Sequence, residues 1–256
     1  MIFESHAHYD DEAFDADREE LLSSMAGAGV GTVLNVAADL KSVETTLELA
    51  KKWPFVYAAL GVHPSSAGEL TEESLEWLRK KLTAEKAVAV GEIGLDYYWD
   101  REEEVRDRQK YWFARQLNLA RETGLPVIVH SRDAAKDTLD VMEAERAREL
   151  GGVMHCFSYT KETAAKILGW GWYFGIGGVL TFKNARKLRE AVETIPLERI
   201  LLETDCPYLA PEPNRGKRND SRNLPYVVSA LAQLKGVSEE EVIGITERNA
   251  KRLFRI

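Results

Sequence analysis

Eight short apolar runs recur along the chain, and a longer stretch with helical periodicity follows each of them. The runs predict strands at residues 2–5, 32–37, 55–60, 87–91, 126–129, 152–154, 172–176 and 199–202. Strands that alternate with helices indicate βαβ units and therefore a parallel sheet. Eight such units within 256 residues favour a (β/α)8 TIM barrel over an open doubly wound sheet.

Helical segments fill the intervals between these runs, among them residues 15–29, 42–53, 71–82, 102–124 and 184–195. Residues 238–256 predict an extra C-terminal helix after the last strand. No linker, internal repeat or low-complexity stretch interrupts the pattern. The sequence therefore predicts a single domain that covers residues 1–256.

Composition limits the classes of protein that this chain can belong to. Hydrophobic residues make up 45% of the chain, and no window of about 18 apolar residues predicts a membrane span. The net charge of -8 argues against a broad basic surface for nucleic acid, but it allows a local cleft that binds a few phosphates. Two distant cysteines without CxxC spacing predict neither a disulfide framework nor a zinc ribbon. No secretory signal is recognisable, so we expect a cytoplasmic protein.

All five histidines of the chain lie at or just beyond the end of a predicted strand. His6 and His8 end the first strand on one face, because side chains alternate with a period of two. His63, His130 and His155 follow the third, fifth and sixth strands. One histidine after an apolar run is more often structural. Five at the strand ends of one barrel, where such folds carry their catalytic groups, favour a site.

Carboxylates occupy the same positions on two other strands. Glu92 follows the fourth strand, and Glu203 and Asp205 follow the eighth, again two apart and on one face. Several charges gathered at one mouth are costly to bury without a counter-ion, and a bound cation removes that cost. Imidazole and carboxylate ligands together suit Zn, Mn, Fe or Mg.

These side chains divide into two sets of ligands. His6 and His8 would hold one ion with Asp205. His130 and His155 would hold a second ion. A carboxylate from the fourth strand, Glu92, would then bridge the two ions.

Six motifs occur in chain order, namely HxH, GxHP, GEIGLD, PVxxHxRxA, HCF and LLETDxP. Together they resemble the TatD family of metal-dependent deoxyribonucleases, which belongs to the amidohydrolase-like barrels, and the resemblance runs from residue 2 to the C-terminal helix. It implies hydrolysis of phosphodiester bonds, usually at the ends of DNA molecules. It also implies a divalent-metal site at six positions: His6, His8, Glu92, His130, His155 and Asp205. One departure is Glu4, where the family more often has Asp, and we expect it to affect strand packing or the residues behind the ligands.

Three residues are predicted to take part in catalysis. With two cations activating water and stabilising the phosphoryl group, Asp205 is expected to bind metal and to accept the proton of the attacking water. Glu203 points the same way and is expected to contact a second ion, the water or a leaving oxygen. His63 is expected to donate to a non-bridging phosphate oxygen.

Positive and aromatic side chains near the strand ends are candidates for substrate binding. Arg215, Lys217 and Arg218 follow the last strand, in a region that often binds phosphate in barrels. Arg132 follows the fifth strand. Tyr97, with the two aromatic residues after it, offers rings on which a base can stack. For each of these residues the alternative is a solvated charged loop or loop packing.

The sequence thus predicts an exonucleolytic deoxyribonuclease that uses two divalent ions, Mg, Mn or Zn. Its partner is DNA, as ends or single strands, without a membrane or an obligate protein partner. The first alternative is a metal-dependent lactonase, amidase or phosphoesterase acting on a small molecule, because one barrel hosts many reactions. A non-enzymatic nucleic-acid or metal-binding module is the second, and the complete sets of ligands argue against it.

Overall fold

The computed structural model describes every residue from Met1 to Ile256. Eight parallel strands form one sheet in the order β1 to β8. Their bounds are β1 Ile2–Ala7, β2 Val30–Val36, β3 Val56–Leu60, β4 Ala87–Asp96, β5 Val127–Arg132, β6 Gly152–Met154, β7 Tyr173–Ile176 and β8 Ile200–Leu202. All eight predicted strands are confirmed. Three of them, β1, β4 and β5, continue further toward their carboxyl ends than the sequence pattern indicated.

Helices follow the strands, as the βαβ pattern requires. They are α1 Arg18–Ser23, α2 Leu40–Lys52, α3 Glu72–Lys81, α4 Glu103–Thr123, α5 Ala135–Ala144, α6 Lys161–Gly169, α7 Arg186–Thr194, α8 Leu224–Lys235 and α9 Glu239–Phe254. The extra C-terminal helix is confirmed as α9, and the Ser238 side chain caps it by accepting a hydrogen bond from the Glu241 N–H at 3.1 Å. No helix of the chain combines the length and the apolar character needed to cross a bilayer.

The strand β4 is buried along its whole length, as expected for a parallel strand that is covered on both faces. It passes so close to β5 that a Cβ at Gly94 would lie 1.9 Å from the His130 carbonyl oxygen. The backbone of Gly94 also has φ +147, which side-chain-bearing residues rarely adopt. This close approach explains the second glycine of GEIGLD.

The segment after β8 pairs with the end of β1. A bridge joins Ala7 to Cys206. The Asp205 N–H donates to the His6 carbonyl at 3.0 Å, and the His8 N–H donates to the Cys206 carbonyl at 2.9 Å. The pairing links the last strand back to the first, which is the connectivity of the predicted (β/α)8 barrel.

The chain divides into two compact units. The first comprises residues 1–35, 156–169 and 173–256, and the second comprises residues 36–155 and 170–172. Phe3, Phe14 and Phe174 are among the large buried side chains of the first unit. Leu60 and Phe113 are among those of the second. The organisation of the chain as one domain stays a prediction.

A fully buried carboxylate, Glu4, ties β1 to the segment that follows β8. Its Oε1 accepts the N–H groups of His6 at 3.1 Å and Thr204 at 2.9 Å. Its Oε2 accepts the hydroxyls of Thr204 at 2.7 Å and Ser221 at 2.8 Å. Burial raises the pKa of Glu4 to about 7, although these hydrogen bonds act in the opposite direction.

We expect Glu4→Ala to lower the free energy of unfolding by on the order of 3 kcal/mol, because it leaves several buried donors without an acceptor. Urea unfolding followed by circular dichroism measures the change. The matched control is Glu48→Ala, which removes an exposed carboxylate on α2 and should change stability by less than about 0.5 kcal/mol. Equal stabilities of the two variants would contradict this role of Glu4.

Candidate active site

Three ligand-type side chains converge at the ends of β1 and β8, and we call them the first cluster: His6, His8 and Asp205. The two imidazole Nε2 atoms are 3.2 Å apart. Oδ1 of Asp205 lies 3.4 Å from Nε2 of His8 and 3.9 Å from Nε2 of His6. His6 is fully buried, whereas His8 and Asp205 are partly accessible. The alternation predicted for residues 6 and 8 therefore places both rings at one point.

Backbone geometry positions the first cluster. The reciprocal hydrogen bonds between β1 and the segment after β8 hold His6 and His8 opposite Asp205. Asp205 itself has φ 59, in the left-handed region, which aspartate adopts more readily than most residues. The carboxylate of Glu4 lies behind the cluster and accepts the backbone N–H of His6.

A second cluster lies on β4 and β5 and consists of Glu92, Asp96 and His130. Nδ1 of His130 is 2.6 Å from Oε1 of Glu92, and its Nε2 is 3.2 Å from Oδ2 of Asp96. Two further histidines adjoin this cluster. Nε2 of His155 is 3.7 Å from Oε1 of Glu92, and the ring of His63 meets that of His130 edge to face at 4.3 Å between centroids.

The charges of the second cluster compensate one another. Burial alone would disfavour the charged form of His130, but the charge of Glu92 and the hydrogen bonds to Asp96 and Glu92 raise its pKa to about 9. Burial acts to raise the pKa of Asp96, yet contacts with His130 and with backbone N–H groups lower it overall. Buried carboxylates are stabilised by a nearby positive charge, and a bound cation is one source of it.

The donor atoms fit divalent metal ions. Three ligand atoms of the first cluster, one each from His6, His8 and Asp205, lie within 4.8 Å of one another, and the same holds for His63, Glu92 and His130. Ligands that stand about 2.0–2.1 Å from a tetrahedral zinc ion are about 3.3 Å apart. The separations of 3.2, 3.4 and 3.9 Å in the first cluster are close to that value. The structure therefore provides two groups of nitrogen and oxygen ligand atoms, and the second group contains His63 where the sequence predicted His155.

The role of Asp96 is missing from the sequence-based assignment of the site. The sequence carried a signal for it, because Glu92, Gly94 and Asp96 alternate on one face of the same strand. The strand was predicted to end at residue 91, which left this alternation unused. The structure continues β4 to Asp96, whose carboxylate contacts His130.

Glu203 is buried at 1% exposure and contacts the loop after β6. Its Oε1 accepts the N–H of Cys156, the residue after His155, at 2.7 Å. A Cβ at Gly175 would lie 1.9 Å from Oε2 of Glu203, so this carboxylate occupies the space above β7 that a side chain would need. The structure thus ties Glu203 to the residue that follows a candidate ligand.

His63 follows β3 and caps the short 3-10 helix Pro64–Glu69. Its Nδ1 accepts the backbone N–H of Ser65 at 3.2 Å and lies 2.7 Å from the Ser65 hydroxyl. A neutral ring that accepts through Nδ1 carries its hydrogen on Nε2. The ring therefore carries a hydrogen-bond donor at Nε2, and its contact with phosphate stays a prediction.

The three basic residues after β8 differ in their surroundings. Arg218 is held by Asp17, with N–O distances of 2.8 and 2.6 Å, and lies over the ring of Phe14. Arg215 forms no ion pair, and its guanidinium lies 4.3 Å from the centroid of Phe182. Lys217 is exposed and contacts only an amide oxygen, at 3.4 Å. Arg215 and Lys217 stay candidates for phosphate binding, while the charge of Arg218 is already compensated.

The aromatic run after β4 also separates into different environments. Tyr97 donates its hydroxyl to Asp137 at 2.8 Å, and Arg106 lies 4.3 Å above its ring. Arg106 thus covers one face of the Tyr97 ring, and stacking of a base on Tyr97 stays a prediction. The exposed rings are those of Tyr98 and Trp99, and the guanidinium of Arg132 lies 3.9 Å from the Tyr98 centroid.

The chain is similar in sequence to known proteins over nearly its whole length. The family model described as TatD related DNase matches residues 3–255. An uncharacterized metal-dependent hydrolase of Bacillus subtilis, YabD, is 43% identical over 256 residues and covers 100% of both chains. A 3'-5' ssDNA/RNA exonuclease of Cronobacter sakazakii, TatD, is 35% identical over 247 residues, which are 94% of this chain and 93% of that protein.

Among solved structures, that of the TatD homologue YJJV from Escherichia coli superposes with a TM-score of 0.93 at 32% identity. The match covers 100% of this chain and 98% of the other. The similarity therefore extends over the whole chain. This chain belongs to the TatD family of metal-dependent hydrolases.

Proposed function

We propose that this protein is a nuclease that hydrolyses phosphodiester bonds at the ends of DNA strands with the help of two divalent cations. The observation that carries this proposal is the presence of two compact ligand clusters, one from β1 and β8 and one from β4 and β5. Both lie toward the carboxyl ends of their strands, where barrel enzymes carry their active sites. The similarity to a relative named as a 3'-5' ssDNA/RNA exonuclease supports the same substrate class.

In this proposal His6, His8 and Asp205 hold one ion. Glu92 and His130 would hold the second ion, with His155 as the neighbouring imidazole ligand. The bridging role of Glu92 stays a prediction. Divalent cations at such sites supply Lewis-acid activation of water and of phosphoryl oxygens. The mixture of imidazole and carboxylate ligands suits Mn or Zn, and Mg where oxygen ligands dominate.

In this proposal, side chains of the protein accept and donate the protons of the reaction. The Asp205 carboxylate is partly accessible at the edge of the first cluster and accepts a proton from the attacking water. His63 donates from Nε2 to a non-bridging phosphate oxygen. Glu203 accepts the backbone N–H of Cys156. Its predicted contact with an ion, the water or a leaving oxygen stays a prediction.

Positive charge for the substrate comes from residues without carboxylate partners. Arg132, Arg215 and Lys217 are exposed and form no ion pair, so their charges are available to phosphates. Arg218 contributes less, because Asp17 neutralises it. Binding through a few such groups is compatible with the net charge of -8.

We expect chelated protein reloaded with Mn²⁺ to bind two ions per chain, counted by plasma mass spectrometry after gel filtration. His8→Ala and His130→Ala should each bind one ion, because each removes a ligand from a different cluster. Glu48→Ala, on the exposed face of α2, should bind two. A wild-type count of one, or retention of both ions by His130→Ala, would contradict the proposal.

With end-labelled single-stranded DNA and Mn²⁺ or Mg²⁺, we expect the wild type to release mononucleotides. Asp205→Asn should lower kcat by about 100-fold or more, since it removes both a metal ligand and the proton acceptor. The control Asp140→Asn makes the same chemical change at an exposed position of α5 and should leave kcat unchanged.

The alternative function, hydrolysis of a small-molecule ester, lactone or amide, is tested by the same preparations. Turnover of lactones or phosphotriesters by a wild type that releases no nucleotide would replace the proposed function. The unpaired cations Arg132 and Arg215 favour an anionic polymer over a neutral small molecule.

A further inference from the structure

Two exposed aromatic side chains follow β4 and form what we call the aromatic ledge, Tyr98 and Trp99. Trp99 is 69% exposed and Tyr98 is 43% exposed. Their rings meet edge to face at 4.6 Å between centroids with an interplanar angle of 89°. Large aromatic rings are normally buried, so an exposed pair next to ligand-type residues indicates a surface for binding.

The guanidinium group of Arg132 lies over the aromatic ledge. The guanidinium of Arg132 is 3.9 Å from the Tyr98 centroid and 5.7 Å from that of Trp99. Arg132 is exposed and has no carboxylate partner. Stacking against an aromatic ring holds the guanidinium plane in place while leaving its N–H groups available for an anion.

Asp96 connects the aromatic ledge to the second cluster. Its Oδ1 accepts the backbone N–H groups of Tyr98 at 2.9 Å and Trp99 at 3.4 Å. Its Oδ2 lies 3.2 Å from Nε2 of His130. The strand register also pairs Asp96 with Arg132. The Asp96 carboxylate thus contacts both the backbone of the aromatic ledge and His130, a candidate metal ligand.

We propose that the aromatic ledge is a base-stacking subsite, which holds a nucleobase of the substrate against Trp99 while Arg132 binds an adjacent phosphate. This inference rests on the proposed function and names the part of the chain that recognises the base. A nucleotide combines a flat π system with an anion a few ångströms away, and the ledge offers a ring and an unpaired guanidinium at that spacing. Two rings are too small an area for a stable protein interface.

Stacking on Trp99 determines which nucleotides the subsite accepts. Stacking depends on the π face that every base has, so the subsite accepts all four bases and favours the larger purines. An unpaired base can stack on Trp99, whereas a base inside a duplex is already stacked on both faces. A strand whose terminal nucleotide lacks a base loses this contact but keeps its phosphates.

Nucleotide binding is tested first without metal, so that the result does not depend on hydrolysis. In EDTA, we expect dAMP to quench the tryptophan fluorescence of the wild type saturably and 2-deoxyribose 5-phosphate to leave it unchanged. Trp99→Ala should abolish the saturable quenching, and Arg132→Ala should weaken dAMP binding. Tyr111→Ala removes a ring that is 53% exposed on α4, where its hydroxyl donates to Glu72, and should behave as the wild type.

The metal-loaded enzyme provides the second readout. Trp99→Ala should raise KM for single-stranded DNA about 5- to 150-fold, the range expected for one base–aromatic stack, with little change in kcat. Trp99→Phe keeps a ring and should recover most of the affinity. On an oligonucleotide with an abasic terminal residue, the wild type and Trp99→Ala should have the same KM.

The outcomes separate this inference from the proposed function. Equal dAMP binding by the wild type and Trp99→Ala overturns the base-stacking subsite, whether or not the protein degrades DNA. Trp99-dependent binding of dAMP by a protein that fails to degrade DNA supports the subsite and overturns the proposed function. Quenching by the sugar phosphate to the same extent as by dAMP also overturns the subsite, since it shows that the base is not recognised.

Discussion

The backbone pairing between the end of β1 and the segment after β8 is the interaction on which the first cluster depends. Two hydrogen bonds, from Asp205 to the His6 carbonyl and from His8 to the Cys206 carbonyl, set residues almost 200 positions apart in register. This register brings the side chains of His6, His8 and Asp205 together. The buried carboxylate of Glu4 stabilises this junction by accepting N–H and hydroxyl groups from both segments.

Backbone pairing also forms the second cluster, in this case between β4 and β5. Register pairs Gly94 with His130 and Asp96 with Arg132. Glu92 and Asp96 therefore contact the two nitrogens of one imidazole, His130. Each carboxylate raises the cost of leaving the cluster without positive charge, and this cost is the electrostatic reason for binding a cation. Continuation of β4 to Asp96 also brings Tyr98 and Trp99 to the edge of the cluster, so ligand geometry and the exposed rings have a common origin.

Much of the fold followed from local patterns. The eight apolar runs predicted all eight strands because each is short, apolar or β-branched, and followed by a helical segment. The ends of β1, β4 and β5 were placed too early, since polar residues such as His6 and Glu92 interrupt the apolar pattern while the backbone stays in the sheet. Solvent-exposed positions were harder to assign. Nothing in the sequence around Arg218 or Tyr97 shows that Asp17 and Asp137, both distant along the chain, hold them.

The sequence by itself determined the order of strands and helices and the positions of all five histidines at strand ends, because periodicity and strand alternation are local properties. It also carried the motifs by which family membership was recognised. Only the tertiary structure decided which cations stay unpaired, which aromatic rings stay exposed, and that Asp96 joins His130 and the backbone of Trp99. These features depend on contacts between segments far apart in the chain, and distance in space cannot be read from spacing in sequence.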